Sequence, residues 1–85
     1  MKRKINMVKL SQTEIDREYR VTCLNAQGTL RRRLRDLGIV EGAIIKRLRP
    51  SPLGDPVAYL IKGTQLAIRN SDACLIEVEY TDGTD

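Results

Sequence analysis

Tryptophan, phenylalanine and histidine are absent from this 85-residue sequence, and three tyrosines are its only aromatics. Any interior must therefore be aliphatic, built from Ile, Leu, Val and Ala. Without histidine there is no imidazole base and no imidazole metal ligand, which removes several enzyme classes at once. The two cysteines, Cys23 and Cys74, lie far apart and form no CxxC pair. They read as small buried hydrophobes rather than a disulfide or a zinc site. No apolar run reaches the roughly 18 residues of a membrane span. The basic start MKRKINMVKL is followed by neither an apolar stretch nor a small-residue cleavage site, so we expect a cytoplasmic protein without an export signal.

What is present suits one small domain. A chain this short buries only about 60–65 % of its unfolded surface, room for a single core. Hydrophobic residues make up 41 % and charged residues 31 %, a balance that argues against wholesale disorder. The charge is unevenly placed. Residues 1–35 carry ten Lys/Arg against three acids, and residues 36–85 carry five against eight, so +7 and −3 give the overall +4. The front of the chain can thus face an acidic partner.

Periodicity predicts about five short strands around one helix. Ile15, Arg17, Tyr19, Val21 and Cys23 share one phase of a two-residue period, predicting a first strand over 16–24. Asn25 is placed to cap a helix whose Leu30, Leu34 and Leu37 form one apolar stripe, with Gly38 at the left-handed C-cap position. Gly28 reads as a point of close helix approach to a strand. Strands over 43–49, 57–62 and 65–69 follow, then a single helical turn begun by Asn70-Ser71-Asp72. The alternation of Ile76, Val78 and Tyr80 with Glu77 and Glu79 gives the last strand. The fold expected is mostly β, an SH3-like small barrel of about five strands with one short α-helix packed at its side, since closure protects exposed edges. Residues 1–9 read as a flexible basic lead-in, 10–80 as the domain and 81–85 as a polar tail.

Candidate chemistry is sparse. The acids fall mostly on expected solvent faces or in turns, and a catalytic carboxylate pair would need a cleft that splits their pKa values. Neither cysteine has an evident base. We therefore expect no catalytic residues, no small-molecule substrate, no cofactor and no metal-ligand motif, although ferrous ion is a conceivable ligand. Two features point instead to contacts. Arg31, Arg32, Arg33 and Arg35 fill four of five helix positions and could neutralise phosphates, but there is no Phe or Trp to stack on bases, which argues against nucleic acid. The loop Pro50-Ser51-Pro52-Leu53-Gly54-Asp55-Pro56 restricts its own conformation and offers an apolar tip, which lowers the ordering cost of a contact.

The run Leu30…Arg33-Leu34…Leu37-Gly38-Ile39-Val40-Glu41-Gly42, then Pro52-Leu53-Gly54-Asp55-Pro56, Gly63 with Gln65-Leu66-Ala67-Ile68-Arg69, and Asp72-Ala73…Ile76-Glu77-Val78 resembles the FeoA family of ferrous-iron transport proteins. The same domain resembles the C-terminal domain of iron-dependent repressors. The resemblance implies a small accessory of ferrous-iron uptake that interacts with the membrane transporter FeoB and has no catalytic activity. It places the partner contact at Leu53, Gly54 and Asp55 alone; the charge of the helix separately points Arg31, Arg32 and Arg35 toward acidic partner surface or lipid headgroups. Self-association, a nucleic-acid-binding role for the arginines, and direct divalent-metal binding stay open as alternatives. Glu41 stands where the family usually has proline, and Asp16-Arg17-Glu18 lacks the glycine often found before the first strand.

Overall fold

The computed structural model describes residues 7–50 and 52–81. In chain order it consists of β1 (Met7–Lys9), a 3₁₀ turn (Leu10–Gln12), β2 (Glu18–Leu24), α1 (Gly28–Asp36), β3 (Ile44–Pro50), β4 (Val57–Ile61), β5 (Thr64–Ile68), α2 (Asn70–Ala73) and β6 (Ile76–Tyr80). The six strands form one sheet in the order β1-β6-β2-β3-β4-β5, and every neighbouring pair is antiparallel. Among the described residues no helix is long and apolar enough to cross a membrane.

The expected closed barrel is not formed. β1 and β5 are the two ends of the strand order and do not pair with each other, so the sheet is open and has six strands rather than about five. The additional strand is β1. Residues 1–9 read as a loose lead-in, yet Met7, Val8 and Lys9 pair with Glu79, Val78 and Glu77 of β6. Residues 1–6, and 82–85 of the expected tail, lie outside the described residues. A three-residue edge strand has too few backbone groups to close a barrel, and side chains fill the core instead. Leu10, Leu34, Ile39 and Ala73, none of them on a strand, join Tyr19, Val21, Ile45, Val57, Tyr59, Ile61, Ile76 and Val78 in one buried cluster.

One irregularity decides which way β2 points its side chains. Val21 pairs with Val78 and Cys23 with Glu77, two steps on β2 against one on β6, so Thr22 is the extra residue of a bulge. Its hydroxyl donates to the Glu77 carbonyl at 3.0 Å. Beyond the bulge the phase flips: Leu24, not Cys23, is buried, and both cysteines are only half-buried. Arg17 lies in the expected apolar phase for a specific reason. Its guanidinium carbon sits 3.6 Å from the centre of the Tyr80 ring, and its Nη1 pairs with Glu14 at 3.0 Å. Asp16, just before β2, adopts φ +66°, a left-handed conformation that a glycine takes at less steric cost.

The helix largely follows its leucines. Leu34 is buried and Leu30 half-buried, but Leu37 is 43 % exposed. Gly38 has φ +97°, its N–H donating to the Arg35 carbonyl at 2.9 Å and the next N–H, of Ile39, to that of Leu34 at 3.0 Å. This is a Schellman ending, and it swings Ile39 into the core. Asn25 is not the cap: that position is Gln27, without a side-chain bond. Nor does Gly28 mark a close approach, for an added Cβ would meet nothing within 4 Å; the residue serves its φ of +63°.

Between β4 and β5 the chain turns through Lys62 (φ +51°) and Gly63 (φ +79°). Two left-handed central residues define a type I′ hairpin, for which Asn-Gly is the preferred pair. Lys62→Asn should raise stability by about 0.5–1 kcal/mol, a few degrees in Tm, because asparagine tolerates this conformation at less steric cost; thermal unfolding measures it. A second expectation concerns Tyr59, whose buried hydroxyl donates to the Leu10 carbonyl at 3.3 Å. Burial pushes its phenol above the ordinary value of 10.0, against the opposing pull of nearby Arg47. The folded state thus holds this proton more tightly than the unfolded chain. Its stabilisation is complete below pH ~10 and falls as pH rises from there through the raised value. Tyr59→Phe should cost about 1 kcal/mol at neutral pH and flatten the alkaline decline, as followed by unfolding at several pH values.

Candidate partner-docking surfaces

The residues singled out for contact fall on two elements, the β3–β4 loop and α1. Leu53 is at the tip of the β3–β4 loop and is 93 % exposed, the most exposed large hydrophobic side chain of the described residues. The loop beneath it is fastened. Asp55 Oδ1 accepts the N–H of Asn70 at 2.8 Å, and Asn70 Nδ2 donates to the Gly54 carbonyl at 3.3 Å. The Asp55 carboxylate thereby does for α2 what a capping side chain would do, since Arg69, at the cap position, makes no such bond. Asp55 thus steadies the loop through Oδ1, and Leu53 stands exposed at its tip.

Asn70 is the site residue that the sequence reading missed. It read as the opener of its own helical turn, and only the pairing of Val57 with Ile68 brings the following Asn70 beside the preceding Asp55. The adjacency comes from strand register, which the sequence does not spell out.

The second surface is α1. Arg32 and Arg35 are exposed and Arg31 is half-buried, and together with Gly28 and Asp36 they line a shallow depression of about 300 Å³. Arg31 is partly occupied, its Nη1 donating to the Leu24 carbonyl at 3.1 Å. Among the described residues no acidic side chain pairs with any arginine of α1. Leu24, where α1 is tied, lies at the end of β2 that pairs with the start of β6. The Leu53 loop leaves the far end of β3, beyond the Glu18–Lys46 pair at the other end of β2. Strand register thus places the Leu53 loop beyond one end of the β2–β3 pair and the tie of α1 at the other end of β2.

The carboxylates of β6 are engaged rather than poised. Glu79 pairs with Arg20 at 3.2 Å, and Glu77 accepts from Asn25 Nδ2 at 3.1 Å. No group of three or more Cys, Asp or Glu side chains gathers in metal-binding fashion among the described residues.

The chain is thus a small, mostly β domain with one open sheet and its distinctive side chains, Leu53 and the α1 arginines, on the outside. A family model, the FeoA domain, matches residues 8–80, and the chain belongs to that family. It is 32 % identical over 72 residues to a Fe(2+) transport protein A/Fe(2+) transporter FeoB fusion protein of Porphyromonas gingivalis, a match covering 85 % of this chain and 8 % of that one. The solution structure of a FeoA protein from Chlorobium tepidum superposes with a TM-score of 0.83 at 40 % identity, over 92 % of this chain and 74 % of that one. The FeoA of Stenotrophomonas maltophilia, described as a prokaryotic SH3 domain protein and crystallised with zinc, gives 0.71 at 27 % identity over 84 % and 88 % of the two chains. A manganese-dependent transcriptional repressor shares the fold alone, with a TM-score of 0.81 at 14 % identity over 93 % of this chain and 44 % of that one.

The loop and its anchor should separate cleanly in stability measurements. Leu53→Asp should leave the unfolding free energy within about 0.5 kcal/mol of the parent, as for an exposed side chain. Asp55→Ala should cost about 1 kcal/mol through loss of the α2 cap. Chemical denaturation of the two variants measures both.

Proposed function

We propose that this chain is a cytoplasmic accessory domain of ferrous-iron uptake that docks on a FeoB-like membrane transporter and regulates it, with Leu53 as the anchor. The support is the single observation that a leucine is presented nearly fully exposed at the tip of a loop secured from behind by the Asp55–Asn70 bond. The fusion of a FeoA segment to FeoB in the Porphyromonas gingivalis relative favours a transporter as the partner. In this reading Leu53 enters an apolar pocket, Gly54 and Asp55 hold the loop in shape, and the arginines of α1 meet a separate anionic surface. Direct metal binding draws support only from the zinc named for the Stenotrophomonas maltophilia relative.

Burying one leucine contributes about 1.5–3 kcal/mol before ordering costs. Leu53→Asp should therefore weaken capture of the transporter's cytoplasmic portion by about ten- to a hundredfold, with an unchanged circular-dichroism spectrum. Undiminished binding of a natively folded Leu53→Asp variant takes the loop out of the interface.

A further inference from the structure

We propose that the outward surface of α1 docks on the phosphate layer of an anionic lipid bilayer. This adds to the transporter reading, and rests on it only for a membrane being within reach. Between Gly28 and Asp36 the helix carries four arginines and one acid, a net +3 in nine residues. Among the described residues none of those arginines is in an ion pair. Arg32 and Arg35, three positions apart, are neighbours on the helix surface and exposed, while Arg31 beside them is steadied by the Leu24 carbonyl. Guanidinium groups present a fork of donors that matches phosphate oxygens, so a dense array of phosphates is the complement of this charge.

Two observations favour a bilayer over nucleic acid. Leu37, four residues beyond Arg33 and hence next to it on the helix, keeps 43 % of its surface exposed. An apolar side chain bordering cations suits the headgroup–acyl boundary and has no use on a sugar–phosphate backbone. The aromatic rings are also spent: Tyr19 and Tyr59 are buried, and the Tyr80 face is covered by Arg17, so no platform is left for stacking bases.

The test is sedimentation of the whole chain with vesicles of phosphatidylcholine containing phosphatidylglycerol, against vesicles of phosphatidylcholine alone. Each cation held near an anionic surface strengthens partitioning about fivefold. The protein should pellet with the anionic vesicles at low salt, stay in solution with the neutral ones, and be released at about 1 M salt, where the screening length is about 3 Å. The double variant R32E/R35E should bind at least about twentyfold more weakly and R32Q/R35Q should fall between, both with parental thermal unfolding. Absence of pelleting at low salt overturns the proposal, as does pelleting that R32E/R35E leaves unchanged. Tighter binding to a duplex oligonucleotide than to the anionic vesicles at matched phosphate overturns it too and reassigns the surface. Capture of the transporter's cytoplasmic portion without lipid is read separately. Vesicle binding with failed capture removes the transporter reading and keeps this one, and the reverse pattern does the opposite.

Discussion

The structure depends on a clasp that fastens the Leu10–Thr13 segment over an open sheet. Leu10 is fully buried, and its carbonyl accepts from the Tyr59 hydroxyl at 3.3 Å and from the Thr13 hydroxyl at 2.7 Å. Arg47, which faces Tyr59 across the β3–β4 pair, donates one guanidinium nitrogen to the carbonyls of Ser11 and Thr13, both at 3.1 Å. A sheet whose edges never meet must shield its core by other means. Here a short segment between β1 and β2 supplies both the apolar plug and the backbone acceptors. The clasp uses the only tyrosine with zero exposure and a partly buried arginine, expensive groups to bury unless hydrogen-bonded.

Much of this was legible in the sequence wherever one face of an element decides its residues. The alternation in Ile76–Tyr80, the Leu30 and Leu34 part of the expected Leu30/Leu34/Leu37 stripe, and the Gly38 ending match the structure, because each is a local pattern answering to a single core; Leu37, at the helix end, stays exposed. Errors arise where a long-range pairing overrides the local phase. The Thr22 bulge exists because β6 supplies one residue where β2 supplies two, and nothing near Thr22 announces it. β1 escaped notice because three residues are too few to show a period. Closure does not follow for a related reason: edge protection is a general pressure, but pairing β1 with β5 is a long-range matter, and here the two end strands stay apart in the strand order while Leu10, Ala73, Leu34 and Ile39 fill the core.

The candidate contacts divide in the same way. Residue types pointed to Leu53 and to the arginine cluster, but roles within them needed coordinates. Asp55, expected as a contact beside Leu53, has its carboxylate bonded to Asn70 and also serves the shape of the loop. Arg31, expected with Arg32 and Arg35, also reaches the Leu24 carbonyl with its guanidinium. In both places one polar residue is consumed internally so that a neighbour can be held outward. Such fixing lowers the ordering cost of an encounter.

The distribution of arginines carries that logic across the molecule. Arg17 lies on Tyr80 and pairs with Glu14, Arg20 pairs with Glu79, Arg31 holds Leu24, and Arg47 holds Ser11 and Thr13. These four have internal work, and removing any of them would disturb local structure before it disturbed binding. Arg32 and Arg35 are exposed and have no hydrogen-bonded partner among the described residues. Adjacent like charges on a helix are mildly destabilising at the usual spacings, a cost partly offset for Arg35, which stands in the last turn of α1 where the helix dipole favours a cation. Arg32 and Arg35 thus leave positive charge that no ion pair among the described residues uses, and the four engaged arginines set off that surplus by contrast.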